Sequence, residues 1–354
     1  MTSEPLLEIR GLKKYYPVST GLLDNLFGDD RYIRAVDDVD LTLGRGETHG
    51  IIGESGSGKS TLVETLLRLE EPTEGEIRFR GTDVSDLSAA DLRAFRENAQ
   101  IIFQDPYETL NPRRTVFQSV AEPLRNFRSL SESELRERVV EMLHDVGLRP
   151  PEEFLDTYPD QLSGGQRQRV NIARAVVLEP DLLVADEPVS MLDVSLQAGI
   201  IKMMNRLQEE IGFSMLYVSH NLSVVRLVSN QVSVMYRGRF VERGPAATVI
   251  EEPKHPYTRA LVQSLPDLEG NRSRVRLPDD DGDDDQLPSG CRFHPRCPDA
   301  MAECSERVPA LAGDADQPVA CFLHHDVDAD SIDSADGSRG AAPAGSDAES
   351  AEQV

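Results

Sequence analysis

A glycine-rich segment near the start of the chain has the composition and spacing of a phosphate-binding loop. Residues 53–61 read Gly-Glu-Ser-Gly-Ser-Gly-Lys-Ser-Thr and match the pattern G-x-x-x-x-G-K-[ST] in full. The glycines let successive backbone N–H groups turn towards phosphate oxygens, which side chains would block. Lys59 is predicted to pair with the β- and γ-phosphates of a nucleotide, and the Ser60 hydroxyl to ligate Mg²⁺. The residues assigned here to nucleotide binding are Gly53, Ser55, Gly56, Gly58, Lys59, Ser60 and Thr61.

Two adjacent carboxylates supply the partner that such a loop requires. The apolar run 182–185 is followed directly by Asp186 and Glu187. At the end of a strand, Asp186 can hold Mg²⁺ directly or through a water molecule. Glu187 can then orient or deprotonate the water that attacks the γ-phosphate. An acidic turn after an apolar strand is common by itself. The pair indicates a Mg²⁺ and hydrolysis site only because the same chain has a phosphate-binding loop.

The elements that must position these groups alternate between strands and helices. Helical spacing covers residues 61–69 and 130–146, and the second segment opens with the capping-box pair Ser131 and Glu134. Residues 17–34 are predicted to form a loop or hairpin insertion. Strands are predicted at residues 6–10, 35–43, 48–52, 181–185 and 215–219. The alternation predicts an α/β core with a parallel sheet.

Several further motifs, in the same order along the chain, resemble those of ATP-binding-cassette (ABC) ATPases. Residues 162–166, Leu-Ser-Gly-Gly-Gln, resemble the signature motif of that family. Gln104 resembles the Q-loop glutamine, and residues 190–193 resemble the D-loop. His220 resembles the switch histidine, and Tyr16 stands where the family stacks an aromatic ring on adenine.

This resemblance implies a P-loop NTPase fold of the ABC cassette type. Such a fold has a mixed-sheet core, a helical subdomain at about residues 105–175, and here a small Cys-containing C-terminal extension. The residues implied to carry hydrolysis are Glu187, His220 and Gln104, and the implied Mg²⁺ ligands are Ser60, Gln104 and Asp186. The resemblance implies further nucleotide contacts in the signature motif and the D-loop. The signature residues would contact the ATP bound by a partner cassette. These further contacts are Ser163, Gly164, Gly165, Gln166 and Asp193.

Other stretches resemble one branch of the family, the ATPases of oligopeptide, dipeptide and nickel importers. Two residues depart from the pattern of that branch: Met191 replaces an alanine of the D-loop, and Asn221 replaces an aspartate after the switch histidine. Neither change removes a phosphate or Mg²⁺ ligand. The stretches that carry this likeness are residues 104–113, 186–195, 219–225 and 254–261.

Membership of this branch implies an ATPase that powers import, without a channel of its own. The implied partners are a second ATPase subunit (a sister protein or another copy of this chain), two membrane permease subunits and, indirectly, an extracellular substrate-binding protein. The implied cargo is a dipeptide or oligopeptide, with sugars or nickel as alternatives. The implied location is the cytoplasmic face of the cell membrane, and the segment after Gln104 is the expected permease contact. A soluble ABC ATPase without a transporter is the rival from another class.

Four cysteines form a cluster in the last fifth of the chain. A cytosolic compartment disfavours disulfides, and the gaps lack the C-x₂₋₄-C spacing typical of structural zinc. Four thiolates also satisfy an iron–sulfur cluster, so spacing alone leaves zinc, iron and free thiols open. The surrounding residues 290–298 resemble the C-terminal extension of the importer branch, which implies a 4Fe-4S cluster; His294 is assigned a structural role. The implied ligands are Cys291, Cys297, Cys304 and Cys321.

Composition limits the possible partners and suggests the domain bounds. The 354 residues carry a net charge of −25, which disfavours nucleic acid as a partner. The acidic, lysine-poor composition suggests a protein adapted to concentrated salt. No apolar run approaches the ~18 residues that a membrane helix requires. The predicted units are an ATPase domain at 1–270, an acidic linker at 271–290, a cysteine module at 291–325 and a disordered acidic tail at 326–354.

Overall fold

The computed structural model describes residues 4–18, 32–85, 87–264 and 287–324. The strands are β1 (Leu7–Pro17), β2 (Tyr32–Leu43), β3 (Thr48–Ile52), β4 (Glu74–Phe79), β5 (Thr82–Asp83), β6 (Ala99–Ile102), β7 (Leu182–Asp186), β8 (Ser214–Ser219), β9 (Gln231–Tyr236) and β10 (Arg239–Pro245). The helices are α1 (Lys59–Leu66), α2 (Ala89–Asn98), α3 (Pro106–Thr109), α4 (Val116–Phe127), α5 (Glu132–Asp145), α6 (Gly164–Val176), α7 (Val194–Ile211), α8 (Leu222–Val228), α9 (Ala246–Glu251), α10 (Pro256–Gln263) and α11 (Ala302–Glu306).

A six-stranded sheet carries most of the motif residues. Its order is β10-β9-β3-β8-β7-β6, with β9, β3, β8, β7 and β6 parallel and β10 antiparallel to β9. Every residue of β3, β7 and β8 is buried, which is the pattern of parallel strands covered on both faces. The predicted α/β core with a parallel sheet is therefore confirmed.

A second, antiparallel sheet contains the first two predicted strands. Its order is β2-β1-β4-β5, and β1 pairs with both β2 and β4. The sequence does not distinguish this sheet from the parallel one. The alternation of apolar and polar residues in a strand shows which face is buried, but it does not show which strands pair with it. The predicted insertion at residues 17–34 is shorter than expected, since β1 runs to Pro17 and β2 begins at Tyr32; residues 19–31 lie outside the described ranges.

A group of helices, α3 to α6, lies between β6 and β7 in the sequence. Both α4 and α5 begin with complete capping boxes, Thr115 with Gln118 and Ser131 with Glu134, and the second was predicted. Helix α4 packs against α5 and α6 through a shared apolar core. These helices fall within the region predicted as a helical subdomain, whose bounds remain a prediction.

The cysteine-containing segment packs on the main core. Ala320 donates a backbone hydrogen bond of 2.8 Å to Val241 of β10, and Val319 forms a β-bridge with Glu242. Phe293 is 1% exposed and belongs to the same apolar cluster as β9 and α10. The predicted linker is described only from residue 287, and the predicted tail lies outside the described ranges. None of the helices that the structure describes is both long and apolar enough to cross a membrane.

Candidate nucleotide-binding and hydrolysis site

The phosphate-binding loop connects β3 to α1, and its glycines are required by close contacts. A Cβ atom on Gly53 would lie 2.2 Å from the Met235 carbonyl oxygen, and one on Gly58 would lie 2.1 Å from that of Ala35. Gly58 also has φ +100°, which disfavours any residue with a side chain. Because Gly58 is the N-cap, α1 begins at Lys59, two residues before the predicted start.

Lys59 is held inside the loop. Its ammonium group donates hydrogen bonds to the carbonyl oxygens of Gly53 at 2.9 Å and of Glu54 at 2.7 Å. Burial lowers the pKa of Lys59, while the charges of Glu187 and Asp186 act in the opposite direction. A weakly hydrated cation inside a glycine-rich loop suits the β- and γ-phosphates of a nucleotide.

Oxygen ligands for Mg²⁺ lie beside this loop. The Ser60 hydroxyl donates to Oδ2 of Asp186 at 3.3 Å, and Asp186 is 8% exposed. Burial raises the pKa of Asp186 to about 6, and the neighbouring charge of Glu187 adds to the shift. A buried carboxylate beside a hydroxyl fits a hard divalent cation, which would supply the missing positive charge. When bound, Mg²⁺ would neutralise charge on the β- and γ-phosphates.

The three residues predicted to carry hydrolysis lie together. Oε1 of Glu187 is 2.9 Å from Nδ1 of His220, and Oε2 accepts a hydrogen bond of 3.1 Å from the Gln104 side-chain amide. Glu187 has φ +47°, a strained backbone conformation for a residue with a side chain. Its N–H donates to Val218 at 2.9 Å, which ties this turn to the end of β8. Both carboxylate oxygens are thus oriented, and the group can accept a proton from water.

One cavity of about 430 Å³ is lined both by the phosphate-binding loop and by Gln104 and Glu187; His220 is not part of its lining. Eight residues of its wall are those that the sequence predicts. The others are Arg237 and Gly238 in the turn between β9 and β10, residues 32–35 at the start of β2, and Leu287, none of which belongs to a recognisable motif. Tyr16 is absent from the lining, and its role at adenine stays a prediction. The predicted residues on the wall are Ser55, Gly56, Gly58, Lys59, Ser60, Thr61, Gln104 and Glu187.

The signature and D-loop residues lie outside this cavity, at two other helix N-termini. The Ser163 hydroxyl accepts a hydrogen bond from the Gln166 N–H at 3.3 Å, and the Gln166 side chain accepts one from the Ser163 N–H at 2.9 Å. Gly164 and Gly165 form the first turn of α6. Asp193 caps α7, and nearby Val194 is 82% exposed. An exposed N-terminus of this kind can receive an anion from another molecule.

The four cysteines line one small cavity together. The Met301 N–H donates to the thiol of Cys304 at 3.5 Å. The backbone N–H groups of residues 293, 299 and 323 act to lower the pKa of Cys291, Cys297 and Cys321, but burial outweighs them and raises each of these pKa values. Burial raises the pKa of Cys291 to about 11. In the part of the chain that is described, no three His, Cys, Asp or Glu side chains are close enough together to hold one metal ion.

Two other histidines, His49 and His294, hydrogen-bond to neighbouring groups of the fold. His49 is buried with Nε2 2.9 Å from the Ser233 hydroxyl, and burial lowers its pKa to about 3. Nδ1 of His294 lies 2.9 Å from the carbonyl oxygen of Cys291, so the ring supports the turn and not a metal.

Comparison with known proteins defines the class first. The family described as ABC transporter matches residues 36–190. The structure of cbiO1 from Clostridium perfringens, part of the ABC transporter complex cbiONQ, matches with a TM-score of 0.60 and 31% identity over 71% of this chain and 92% of that one. The dimeric cassette MJ0796 bound to ADP and Pi matches with a TM-score of 0.59 and 30% identity over 68% and 98%. The fold and site are those of an ABC ATPase.

The branch of the family follows from the C-terminal part and from curated relatives. The family described as oligopeptide/dipeptide transporter, C-terminal region, matches residues 241–304. The oligopeptide transport ATP-binding protein AppF of Bacillus subtilis is 45% identical over 91% of this chain and 98% of its own length. The dipeptide transport ATP-binding protein DppF of Haemophilus influenzae is 44% identical over 90% and 96%. This chain belongs to the ATP-binding proteins of oligopeptide/dipeptide ABC transporters, and it is an ATPase.

Proposed function

We propose that this chain powers peptide import by hydrolysing ATP at the cavity between β3, β7 and β8. The contact of Glu187 with both His220 and Gln104, beside the phosphate-binding loop, is the observation that carries the proposal. Lys59 and the loop N–H groups bind the β- and γ-phosphates, while Ser60 and Asp186 hold Mg²⁺.

Hydrolysis proceeds by in-line attack of water on the γ-phosphate. Glu187 accepts a proton from this water, and its two hydrogen bonds fix the direction in which it does so. His220 orients Glu187 through Nδ1 and can offer Nε2 to the γ-phosphate. Lys59 stabilises the charge that accumulates on the transferred group and on the leaving phosphate.

The second ATPase subunit completes the site in this proposal. The exposed N-terminus of α6, with Ser163 as its cap, lies outside the chain's own nucleotide cavity. Two cassettes facing each other would place this terminus on the γ-phosphate of the partner's ATP. Met191 and Val194, 58% and 82% exposed, would then be covered by the partner.

The permease contact is proposed to lie beside Gln104, at the start of the helical region. Phe103 is 40% exposed there, so an apolar ring is available to another protein. Leu110, in the segment after Gln104, could lie on this surface or in the core according to the sequence; it is 2% exposed and belongs to the core. The family implies that the chain lies at the cytoplasmic face of a membrane. The net charge of −25 implies a saline solvent, which would screen the repulsion between the acidic side chains.

Transport assays with the full complex test the proposed cargo. Membrane vesicles that contain the chain and its co-purified permease subunits, loaded with ATP and supplied with the substrate-binding protein outside, are expected to take up labelled di- and oligopeptides. Labelled sugars and nickel serve as the alternatives, and a series of KCl concentrations tests the saline solvent. Uptake of sugar without peptide would contradict the peptide cargo, and failure to recover any permease would favour the soluble rival.

The cysteine module is proposed to hold a 4Fe-4S cluster. Among the described residues, no three His, Cys, Asp or Glu side chains lie close enough together to hold a single metal ion, zinc or iron. The proposal therefore rests on the resemblance of residues 290–298 to the C-terminal extension of the importer branch and on the cavity that the four thiols share. A cluster has iron at separate corners and needs thiols that surround a space, as these four do around one cavity. The N–H groups that bond to the thiols stabilise the thiolate form, and the cluster would tie four chain segments together.

Anaerobic purification followed by iron, sulfide and zinc analysis tests this cluster. We expect about four iron and four sulfide per chain. Cys297→Ser is expected to lower both, whereas Ser305→Ala, a nearby exposed residue, serves as the matched control. Stoichiometric zinc without iron would rule out the cluster.

A further inference from the structure

An ion pair joins the cysteine module to the phosphate-binding loop. Arg296 precedes Cys297 in a turn of 3₁₀ helix, and its guanidinium binds the carboxylate of Glu54 with both terminal nitrogens, at 2.9 and 3.2 Å. Glu54 is the second residue of the loop. The Arg296 side chain is 11% exposed and that of Glu54 is 39% exposed. A two-point pair of this kind fixes direction as well as distance.

The main chain of Glu54 also forms hydrogen bonds that fix its position. Its N–H donates to the Tyr257 hydroxyl at 2.8 Å, and its carbonyl oxygen accepts from the Lys59 ammonium at 2.7 Å. Together with the Gly53 carbonyl at 2.9 Å, the position of Glu54 therefore helps to set where the Lys59 ammonium lies. A displacement of Glu54 would therefore move the Lys59 ammonium relative to the phosphates of a bound nucleotide.

A second contact from the cysteine module reaches the same loop residue through aromatic rings. Phe293 is 1% exposed, and its centroid lies 5.5 Å from that of Tyr257 and 5.3 Å from that of Tyr236. The Tyr236 hydroxyl accepts a hydrogen bond of 3.4 Å from Arg296. The segment that carries the cysteines thus supports Glu54 both from its carboxylate and, through Tyr257, from its backbone.

We propose that Arg296 is a positioning residue for the phosphate-binding loop and makes ATP affinity depend on the cysteine module. Arg296 does not line the nucleotide cavity and acts through Glu54 and Lys59. This inference rests on ATP binding at the proposed site, but not on which metal, if any, the cysteines hold. It assigns to the C-terminal extension a role in nucleotide binding.

Substitution of Arg296 tests the inference on the full chain. Arg296→Gln is expected to raise the KM for ATP, and the Kd for ATP in calorimetry, about fivefold, the effect of losing a partly exposed ion pair. The kcat should change less than twofold, because Glu187 and His220 are untouched, and Arg296→Lys should restore part of the affinity. The matched control is Asp299→Asn, which breaks a 3.6 Å pair between the module and Arg259 of α10, away from the loop, and should leave ATP affinity unchanged.

A double-mutant cycle with Glu54→Gln distinguishes an effect of Arg296 through Glu54 from a general weakening of the packing between the cysteine module and the rest of the chain. If Arg296 acts through Glu54, the double variant binds ATP no more weakly than either single variant. Additive losses, an unchanged Kd in Arg296→Gln, or an equal loss in Asp299→Asn would each overturn the inference. Metal, sulfide and thiol content is measured in every variant, and loss of affinity with unchanged content supports it. If wild type itself failed to bind ATP, the proposed nucleotide site would fail, not this inference alone.

Discussion

Glu187→Gln is expected to bind ATP with nearly wild-type affinity and to hydrolyse it at least about 100-fold more slowly. Glutamine keeps the shape of the side chain and its contacts with His220 and Gln104, but it cannot accept a proton from water. Nucleotide binding rests on the phosphate-binding loop, which this change leaves alone. Steady-state phosphate release and equilibrium binding of ATP measure the two quantities separately.

The matched control for this change is Glu137→Gln, which alters an exposed carboxylate of α5. It should turn over at the wild-type rate. A Glu187→Gln variant that hydrolysed ATP within tenfold of wild type would show that another group accepts the proton. Loss of ATP binding in the same variant would instead show that Glu187 holds the loop together.

Asp186→Asn is expected to abolish Mg²⁺-dependent hydrolysis and, without nucleotide, to stabilise the fold at pH 7. Burial raises the pKa of Asp186 to about 6 in the folded chain, so the charged form is unfavourable there. The folded state therefore binds this proton more tightly than the unfolded state does. Its contribution to stability is complete below pH 4 and is lost as the pH rises through 6.

Asparagine removes this loss because it is neutral at every pH. The expected gain is about 1–3 kcal/mol in the free energy of unfolding at pH 7.5 and close to zero at pH 4. Urea unfolding of both chains without Mg²⁺ or nucleotide measures it. A variant that is equally stable or less stable at pH 7.5 would contradict the burial argument, whatever its activity.

Local chemistry allowed much of the site to be predicted from the sequence. Glycines at 53, 56 and 58 have the spacing of a phosphate-binding loop. At positions 53 and 58 a Cβ atom would collide with a backbone carbonyl, so a larger residue does not fit there. The capping box at Ser131 and Glu134 was visible for the same reason: both partners lie within four residues. Contacts within one turn or one loop leave a pattern in the sequence.

Contacts between distant segments could not be predicted. Glu54 and Arg296 are separated by more than two hundred residues, and neither has a neighbour that points to the other. The left-handed backbone of Glu187 depends on its bond to Val218, which belongs to a different strand. The separation of the two sheets likewise depends on which strands meet, and a burial period does not encode that choice.

The positions of the hydrolytic residues have a mechanical consequence. Glu187 and His220 each follow the end of a strand, β7 and β8, that are hydrogen-bonded neighbours. Gln104 instead stands two residues before α3, on the connection to the group of helices that ends with α6. A rotation of those helices against the sheet would lengthen the 3.1 Å bond from Gln104 to Glu187 while the 2.9 Å contact from His220 stayed constant. One amide hydrogen bond would thus couple the angle between the helices and the sheet to Glu187, the group proposed to activate water.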